Sequence, residues 1–246
     1  MKIFRADLHI HTCLSPCGDL SMSPRKIVAE VLRHNLDIIA VSDHNSARNI
    51  SAVTNAARGT QVVVLPGMEI CTEEEVHVLA IFKDLESALA KQTYVYGRLF
   101  GENDPDAFGM QVIATENDEV EDFETKLLIG AARISLDAAI EHIHTCGGIA
   151  IASHIDRESF GVIGQLGFVP PGAGFDALET SSHIDVANVG QIFKQYGNYP
   201  FVRNSDAHFL NDIGKCWTGY RMEEPTFMEI QKALRQEDGR MITEVV

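Results

Sequence analysis

The chain has 246 residues, 45% of them hydrophobic, which is enough apolar material for one large buried core. With 35 Asp and Glu against 20 Lys and Arg, the formal net charge of −15 argues against coating of nucleic acid by the general surface, since such binding neutralises phosphates with basic residues. No apolar run reaches membrane-spanning length, MKIFRADLH lacks the apolar stretch of a secretion signal, and Cys13, Cys17, Cys71, Cys146 and Cys216 form no Cys-x-x-Cys pair, so reduced thiols and a cytoplasmic setting are expected.

IFRADLHI reads as a first strand, and SPRKIVAEVLRHN as a helix opened by Ser23 with Pro24 at its first position. LDIIAVSD is a continuous apolar strand, SARNISAVTNAARG is helical, and QVVVLPGMEI and VHVLAIF are two further strands. A helix is predicted from about Leu85 to Leu99. Residues 100–132 break the rhythm: they are acidic and turn-rich, with a hairpin expected around MQVIATENDEVE. They read as an excursion that is either a cap over one face or a solvated loop. Alternation then resumes with helix SLDAAIEHIHTCG, strand GIAIASHI, helix SFGVIGQLG, strand FDALETS, helix DVANVGQIFKQYG and strand YPFVRNSD; helix TFMEIQKALRQ closes the pattern. Strands separated by helices imply βαβ units and a parallel sheet. About seven such strands, with no glycine fingerprint after the first, favour one α/β domain over residues 1–246 built as a distorted barrel.

His-Ile-His-Thr occurs twice, at 9–12 and at 142–145. On a strand, residues i and i+2 share a face, so His9 and His11 can converge on one ion. On a helix the same spacing separates side chains by about 200° at 3.6 residues per turn. His142 and His144 lie in a helical pattern with Leu136, Ala139, Ile140 and Ile143, so they cannot chelate together.

The first copy has company. Acids and imidazoles recur at the downstream ends of predicted strands: Asp43 and His44, Glu69, His77, His154 and Asp156, Glu179, and Asp206 and His208. In parallel barrels that rim carries the active site. One such histidine would be unremarkable as an ordinary core or surface residue. Repetition on successive strands points to a cluster, and His, Asp and Glu in these numbers suit two or three ions of zinc, manganese or iron.

In this order, DLHIHT, SDHN, PGMEI, HVLAI, ASHIDR and NSDAH resemble the polymerase and histidinol phosphatase (PHP) family, from about Phe4 to Thr243. The resemblance implies a distorted (β/α)7 TIM-like barrel, up to three divalent metals at the C-terminal rim, and phosphoester hydrolysis. It implies His9, His11, His44, Glu69, His77, His154, Asp206 and His208 as ligands, with Glu69 able to bridge two ions. One further ligand falls in SPCGDLSMSP: Asp19 by counting back from Pro24, Cys17 by counting forward from His11. A hard carboxylate suits an oxygen-rich site, which favours Asp19. Where several relatives have His-Pro after the fifth strand this chain has SHIDR. Arg157 and Arg203 are candidate phosphate clamps, the alternative for both being an ordinary ion-pair arginine. Glu179 reads as either an orienting residue or a plain strand-end acid and is left out of the ligand set.

The chemistry implied is hydrolysis of a small phosphomonoester by a metal-bound hydroxide, with Arg157 absorbing charge and His208 assisting the departing alkoxide. Substrates in view are a histidinol phosphate-like ester, a nucleotide or a short oligonucleotide end. No membrane partner and no extended nucleic-acid surface are expected. Two rivals are weighed: an amidohydrolase-type enzyme, which would normally carry a lysine at a middle strand end where this chain has Glu69 and His77, and a catalytically silent metal-binding module.

Overall fold

A computed structural model describes residues 1–246. Its elements run β1 (Lys2–Ile10), α1 (Pro24–Arg33), β2 (Ile38–Val41), α2 (Ile50–Ala56), β3 (Val63–Cys71), β4 (His77–Ile81) and α3 (Leu85–Tyr96). The excursion holds α4 (Pro105–Phe108) and the expected hairpin, β5 (Val112–Ala114) with β6 (Val120–Phe123). Then follow α5 (Leu136–Thr145), β7 (Ile149–Ala152), α6 (Val162–Leu166), β8 (Ala177–Thr180), α7 (Val186–Ile192), β9 (Phe201–Arg203), β10 (Thr218–Met222), α8 (Phe227–Leu234) and β11 (Met241–Val245).

Local signals set the helix starts. Ser23 is extended ahead of Pro24, whose fixed φ suits a first helical position. Ser135 and Thr226 accept the Ala138 and Glu229 backbone N–H groups at the starts of α5 and α8.

Nine strands form one sheet in the order β11-β10-β1-β2-β3-β4-β7-β8-β9. The last strand returns to the first. Ile10 bridges Ala207 in parallel, and His11 donates its backbone N–H to the Ala207 carbonyl at 3.0 Å. Seven strands, β1 to β4 and β7 to β9, thus make a nearly closed, distorted barrel, with β10 and β11 added beside β1. The sheet differs from the expected all-parallel arrangement, because β4 runs antiparallel to both β3 and β7. The Thr72–Val76 link is too short for a crossover and can only make a hairpin. The chain also ends on β11, not on a helix.

Strand alternation divides the core in two. Ala6, Leu8, Ile38, Ala40, Leu65, Leu79, Ile81, Ile149, Ile151, Ala177 and Val202 form the barrel interior, closed below by Phe227, Ile230 and Leu234 of α8. The opposite strand faces pack outward under α1, α2, α3 and α5 through residues such as Ile39, Met68, Val78 and Ala150. Glu69 has the parity of Leu65, His77 that of Leu79, and Glu179 that of Ala177. The polar site therefore continues the interior face toward one rim.

Candidate metal centre

Each strand brings one or two donors to that rim. An irregularity in the β1–β2 register between Asp7 and Ile10 accompanies the turn of His9 and His11 toward the interior. His44 follows β2, Glu69 lies near the end of β3, His154 follows β7, and Asp206 and His208 follow β9. His77 opens β4; because that strand is reversed, its upstream end lies at the same rim. His154 (φ 27°) and Asp206 (φ 49°) hold left-handed backbone conformations that cost a non-glycine residue energy, a strain typical of sites that over-determine their geometry.

Glu69 is the hub. Its carboxylate lies 3.1 Å from His44 Nδ1 and from His77 Nδ1, 3.3 Å from His9 Nε2 and from His154 Nε2, and 3.5 Å from His11 Nε2. Asp206 Oδ1 lies 3.4 Å from His9 Nε2 and 3.2 Å from His11 Nε2. Three groupings place donor atoms within 4.8 Å of one another: His9, His11, Glu69 and Asp206; His44, Glu69 and His77; His11, His44 and His208.

The fit to metal rests on unmet polar demand. His9 Nε2, His11 Nε2, His44 Nδ1, Glu69 Oε1, His77 Nδ1, His154 Nδ1 and Asp206 Oδ1 are buried without a hydrogen-bond partner. Leaving one such atom unsatisfied costs about 1–3 kcal/mol, so a convergent set of them calls for cations at its centre. A buried set of imidazoles and carboxylates of this size suits more than one ion.

Supporting residues fix which ring nitrogen faces inward. His9 Nδ1 donates to Glu179, 3.1 Å from each carboxylate oxygen, and Asn204 Nδ2 donates to the same carboxylate at 2.7 Å. His11 Nδ1 lies 2.9 Å from Ser15 Oγ, which donates to Asp43 at 2.7 Å. Asp43 also accepts the Thr12 N–H and hydroxyl. His208 Nδ1 donates to the Asp206 carbonyl at 2.9 Å, which leaves Nε2 free. Such outer partners set tautomer and ring orientation at metal sites.

Electrostatics prepares the donors. Burial, and after it His208, pushes His11 down to about 3, and burial followed by His11 holds His44 well below the usual range, which favours the neutral rings that a cation needs as donors. For Glu69 burial acts upward, but His77 and His9 outweigh it and keep the carboxyl well below its ordinary value. For Asp206 burial is likewise outweighed, by His9 and the His11 hydrogen bond. Burial would lower His9, yet Glu179, Glu69 and Asp206 together raise it well above the usual histidine range.

Asp19 is the candidate ligand that the fold does not bring in. It is exposed, and its Oδ1 accepts the Ser21 N–H at 2.8 Å. Cys17 instead lines the cavity of about 190 Å³ at the mouth, with His44, Glu69, His77, Ile129, His154, Arg157, Phe160, Asp206 and His208. The turn from Thr12 to Gly18 folds back on itself, Ser15 N–H to Thr12 O and Gly18 N–H to Ser15 O, and Asp19 follows at the edge of the site, its backbone N–H on the His208 carbonyl at 2.9 Å and its carboxylate turned to Ser21. Arg157 joins the cluster, with Nη1 2.7 Å from Asp206 Oδ2. Arg203 does not: it is buried and donates Nη2 to the Ile184 carbonyl at 2.9 Å. Ser15 and Asn204 carry no signal in the sequence, and the pattern there marks Asp43 only as a strand-end acid beside His44, not as the partner of Ser15 and Thr12. Asp43, a carboxylate ending an apolar strand beside His44, was the available signal. The excursion reaches the site through Ile129, and Leu128 and Gly130 accept both protons of the Asn45 amide.

A barrel with a polynuclear donor cluster at its rim defines the class, and comparison with known proteins gives the family. The PHP domain model matches residues 7–162, and a PHP-associated model matches residues 191–238. The chain belongs to the PHP family, and its fold is that of PHP-family metal-dependent hydrolases. Among solved structures, the lesion-specific endonuclease Q of Pyrococcus furiosus superposes with a TM-score of 0.76 at 18% identity, over 99% of this chain and 58% of that one. A candidate metal-dependent phosphoesterase from Bifidobacterium adolescentis superposes at 0.58 and 18% identity, covering 82% of this chain and 87% of that one. The uncharacterized protein YqxK of Bacillus subtilis is 31% identical over 105 residues, which cover 41% of this chain and 27% of that protein. The chain thus spans well under two thirds of both the endonuclease and the Bacillus protein. No helix is long and apolar enough to cross a membrane.

Proposed function

We propose that this chain is a metal-dependent phosphoesterase that hydrolyses a small phosphomonoester, such as a histidinol phosphate-like ester, a nucleotide or a short oligonucleotide end. The observation that carries the reading is the set of six buried, unpartnered donor atoms, on His9, His11, His44, Glu69, His77 and Asp206, converging beneath an open mouth that Arg157 borders. His9, His11, Glu69 and Asp206 would hold one ion, and His44, His77 and the shared Glu69 a second. His208 with His11 and His44 offers a third position. When bound, zinc, manganese or iron would supply Lewis acidity and lower the pKa of a coordinated water.

The chain's own groups do the rest. Glu179 keeps His9 turned inward, and Ser15 does the same for His11. Arg157 places a permanent positive charge beside the position where the phosphoryl oxygens gain negative charge. A P–O bond to water oxygen forms as the ester P–O bond breaks. In place of that third ion, His208, part-exposed at the mouth, would give a proton to the departing alkoxide. The small cavity and the acidic surface support a small substrate over an extended polymer, and five unpaired thiols support a cytoplasmic setting.

The test is phosphate release near neutral pH, with manganese or zinc supplied, from phosphomonoesters, nucleoside bisphosphates and short oligonucleotides. Release that His9→Ala abolishes and His142→Ala retains supports the reading. Metal bound without release from any substrate would overturn it in favour of a silent metal-binding module.

A further inference from the structure

Beside the metal cavity lies a second one of about 400 Å³, and Arg157 is common to both linings. It opens between the loop after β7 with α6 and the loop after β8 with α7, at the same rim as the metal centre. Its walls include Ile163, Ile184, Ile192 and Phe193, while Glu158 and His183 stand at its edge. Small-molecule sites combine this size with mostly apolar walls and a few polar groups.

The walls are braced. Asp156 accepts both the backbone N–H and the hydroxyl of Ser181, at 2.7 and 2.6 Å, and Ser181 Oγ accepts the His183 N–H. From the other side, buried Arg203 holds the Ile184 carbonyl. The loop after β8 is therefore pinned at two points. The floor is equally specific, since a Cβ on Gly164 would lie 2.2 Å from the Glu158 carbonyl oxygen and 2.7 Å from that of Arg157. Only glycine lets α6 approach that backbone so closely.

We infer that this second cavity is the leaving-group subsite of the enzyme and takes a flat aromatic or heteroaromatic ring. The inference rests on the phosphoesterase reading for the chemistry next door. With phosphorus over the metal donors, the ester oxygen emerges beside Arg157 and the alcohol's body extends into the cavity. A guanidinium offers a planar face for a ring to stack on, and isoleucine and phenylalanine walls favour a large apolar surface over a hydrated polyol. Arg157 then serves both halves of the substrate, and Arg203 is a positioning residue for the wall.

The experiment compares 1-naphthyl phosphate and adenosine 5′-monophosphate with glycerol phosphate on the full chain supplied with manganese. Two wall variants accompany it: Ile192→Glu, at a half-exposed position where the new carboxylate reaches water, and Ile163→Glu. The expected result is a kcat/KM preference for the ring substrates of at least about tenfold, carried mainly in KM, that shrinks by about tenfold in both variants. Preference for naphthyl phosphate and nucleotide alike fits a general aromatic subsite; preference for the nucleotide alone narrows it to a nucleobase. No preference in the wild type, or a preference unmoved by both variants, overturns the inference. Saturation-transfer NMR with adenosine and 1-naphthol separates this from failure of the phosphoesterase reading. If no ester is hydrolysed, ring binding that the variants abolish still supports the subsite, and ring binding absent from the wild type or retained by both variants overturns it.

Discussion

His-Ile-His-Thr at residues 9–12 and the same four residues at 142–145 differ only in the element that carries them. On β1, His9 and His11 are both fully buried, and both ring Nε2 atoms lie within 3.5 Å of Glu69. On α5 the two rings part. His142 stacks on Tyr94 at 3.7 Å between centroids, whereas His144 reaches Asp176 at 2.9 Å. The isoleucine is buried in both copies, Ile10 and Ile143 alike, so hydrophobic placement does not separate them. What separates them is backbone period, which decides whether neighbouring histidines share a face. The surroundings follow suit: carboxylates fixed beneath the first pair, ordinary packing around the second.

Replacing a member of each pair gives the largest contrast. His9→Ala should lower phosphate release by more than about a hundredfold and reduce bound metal, because even outer partners of such ligands cost about 10–100-fold when removed. His142→Ala should leave both within about twofold. Metal content by elemental analysis alongside kcat/KM checks this, and equal losses in the two variants would sink the distinction. Glu179→Gln comes next. It keeps the shape but weakens the hold on His9 Nδ1, so metal affinity should fall by about 10–100-fold. An unchanged metal titration would mean that the His9 ring keeps its orientation without the negative charge of Glu179.

The first copy was legible because its logic is local: strand period, then donors recurring at successive strand ends. The same logic missed the direction of β4, since VHVLAIF reads the same either way along the sheet. The short Thr72–Val76 link held that information, and the donor set survived because reversal leaves His77 at the correct rim. Spacing alone also left two readings in the Thr12–Gly18 turn, where backbone hydrogen bonds, not residue count, set Asp19 at the edge of the site beside His208 and leave Cys17 facing the cavity. Strands β10 and β11 went unseen because TGYRM and MITEV carry little alternation. Arg203 looked like a phosphate ligand because only the fold brings Ile184 to it. Interior and rim are written in period; pairing direction and loop path are settled by contacts distant in sequence.

The setting of the second copy yields a smaller and purely structural effect. Lys91 lies fully buried beside α5, donates to the Ala139 carbonyl at 3.2 Å and faces the Tyr94 ring. Burial pushes its pKa down to about 8 from 10.5. The folded chain therefore binds this proton less tightly than the unfolded chain. Below pH 8 the full cost of a buried charge is present; between about 8 and 10.5 stability rises with pH, and above that it levels off. The Lys91→Met variant should be more stable at pH 7 by about 1–3 kcal/mol and should lose that rise. Urea unfolding at pH 7 and 10 checks both. A variant less stable at pH 7 would show that the hydrogen bond to Ala139 outweighs desolvation.

The smallest effect tests the second copy alone. His144 is part-exposed, and its only side-chain tie is to Asp176, which also accepts the Ala150 N–H from the neighbouring strand. Exposed ion pairs contribute about 0–1 kcal/mol because water and salt screen them. His144→Ala should therefore lower stability by less than about 1 kcal/mol, and added salt should shrink the difference between variant and wild type. Asp176 retains its backbone partner, so no buried group is left unpaired and no larger penalty follows. A double replacement with His142 should cost only the sum of the two single losses, since the two rings have separate partners. The matching pair, His9 and His11, shares Glu69 and Asp206, and there the second replacement should cost far less metal affinity than the first. Additivity at 142 and 144 against non-additivity at 9 and 11, read from the two double-mutant cycles, is the energetic form of the difference between a helix and a strand. Coupling between His142 and His144 of more than about 0.5 kcal/mol would break it.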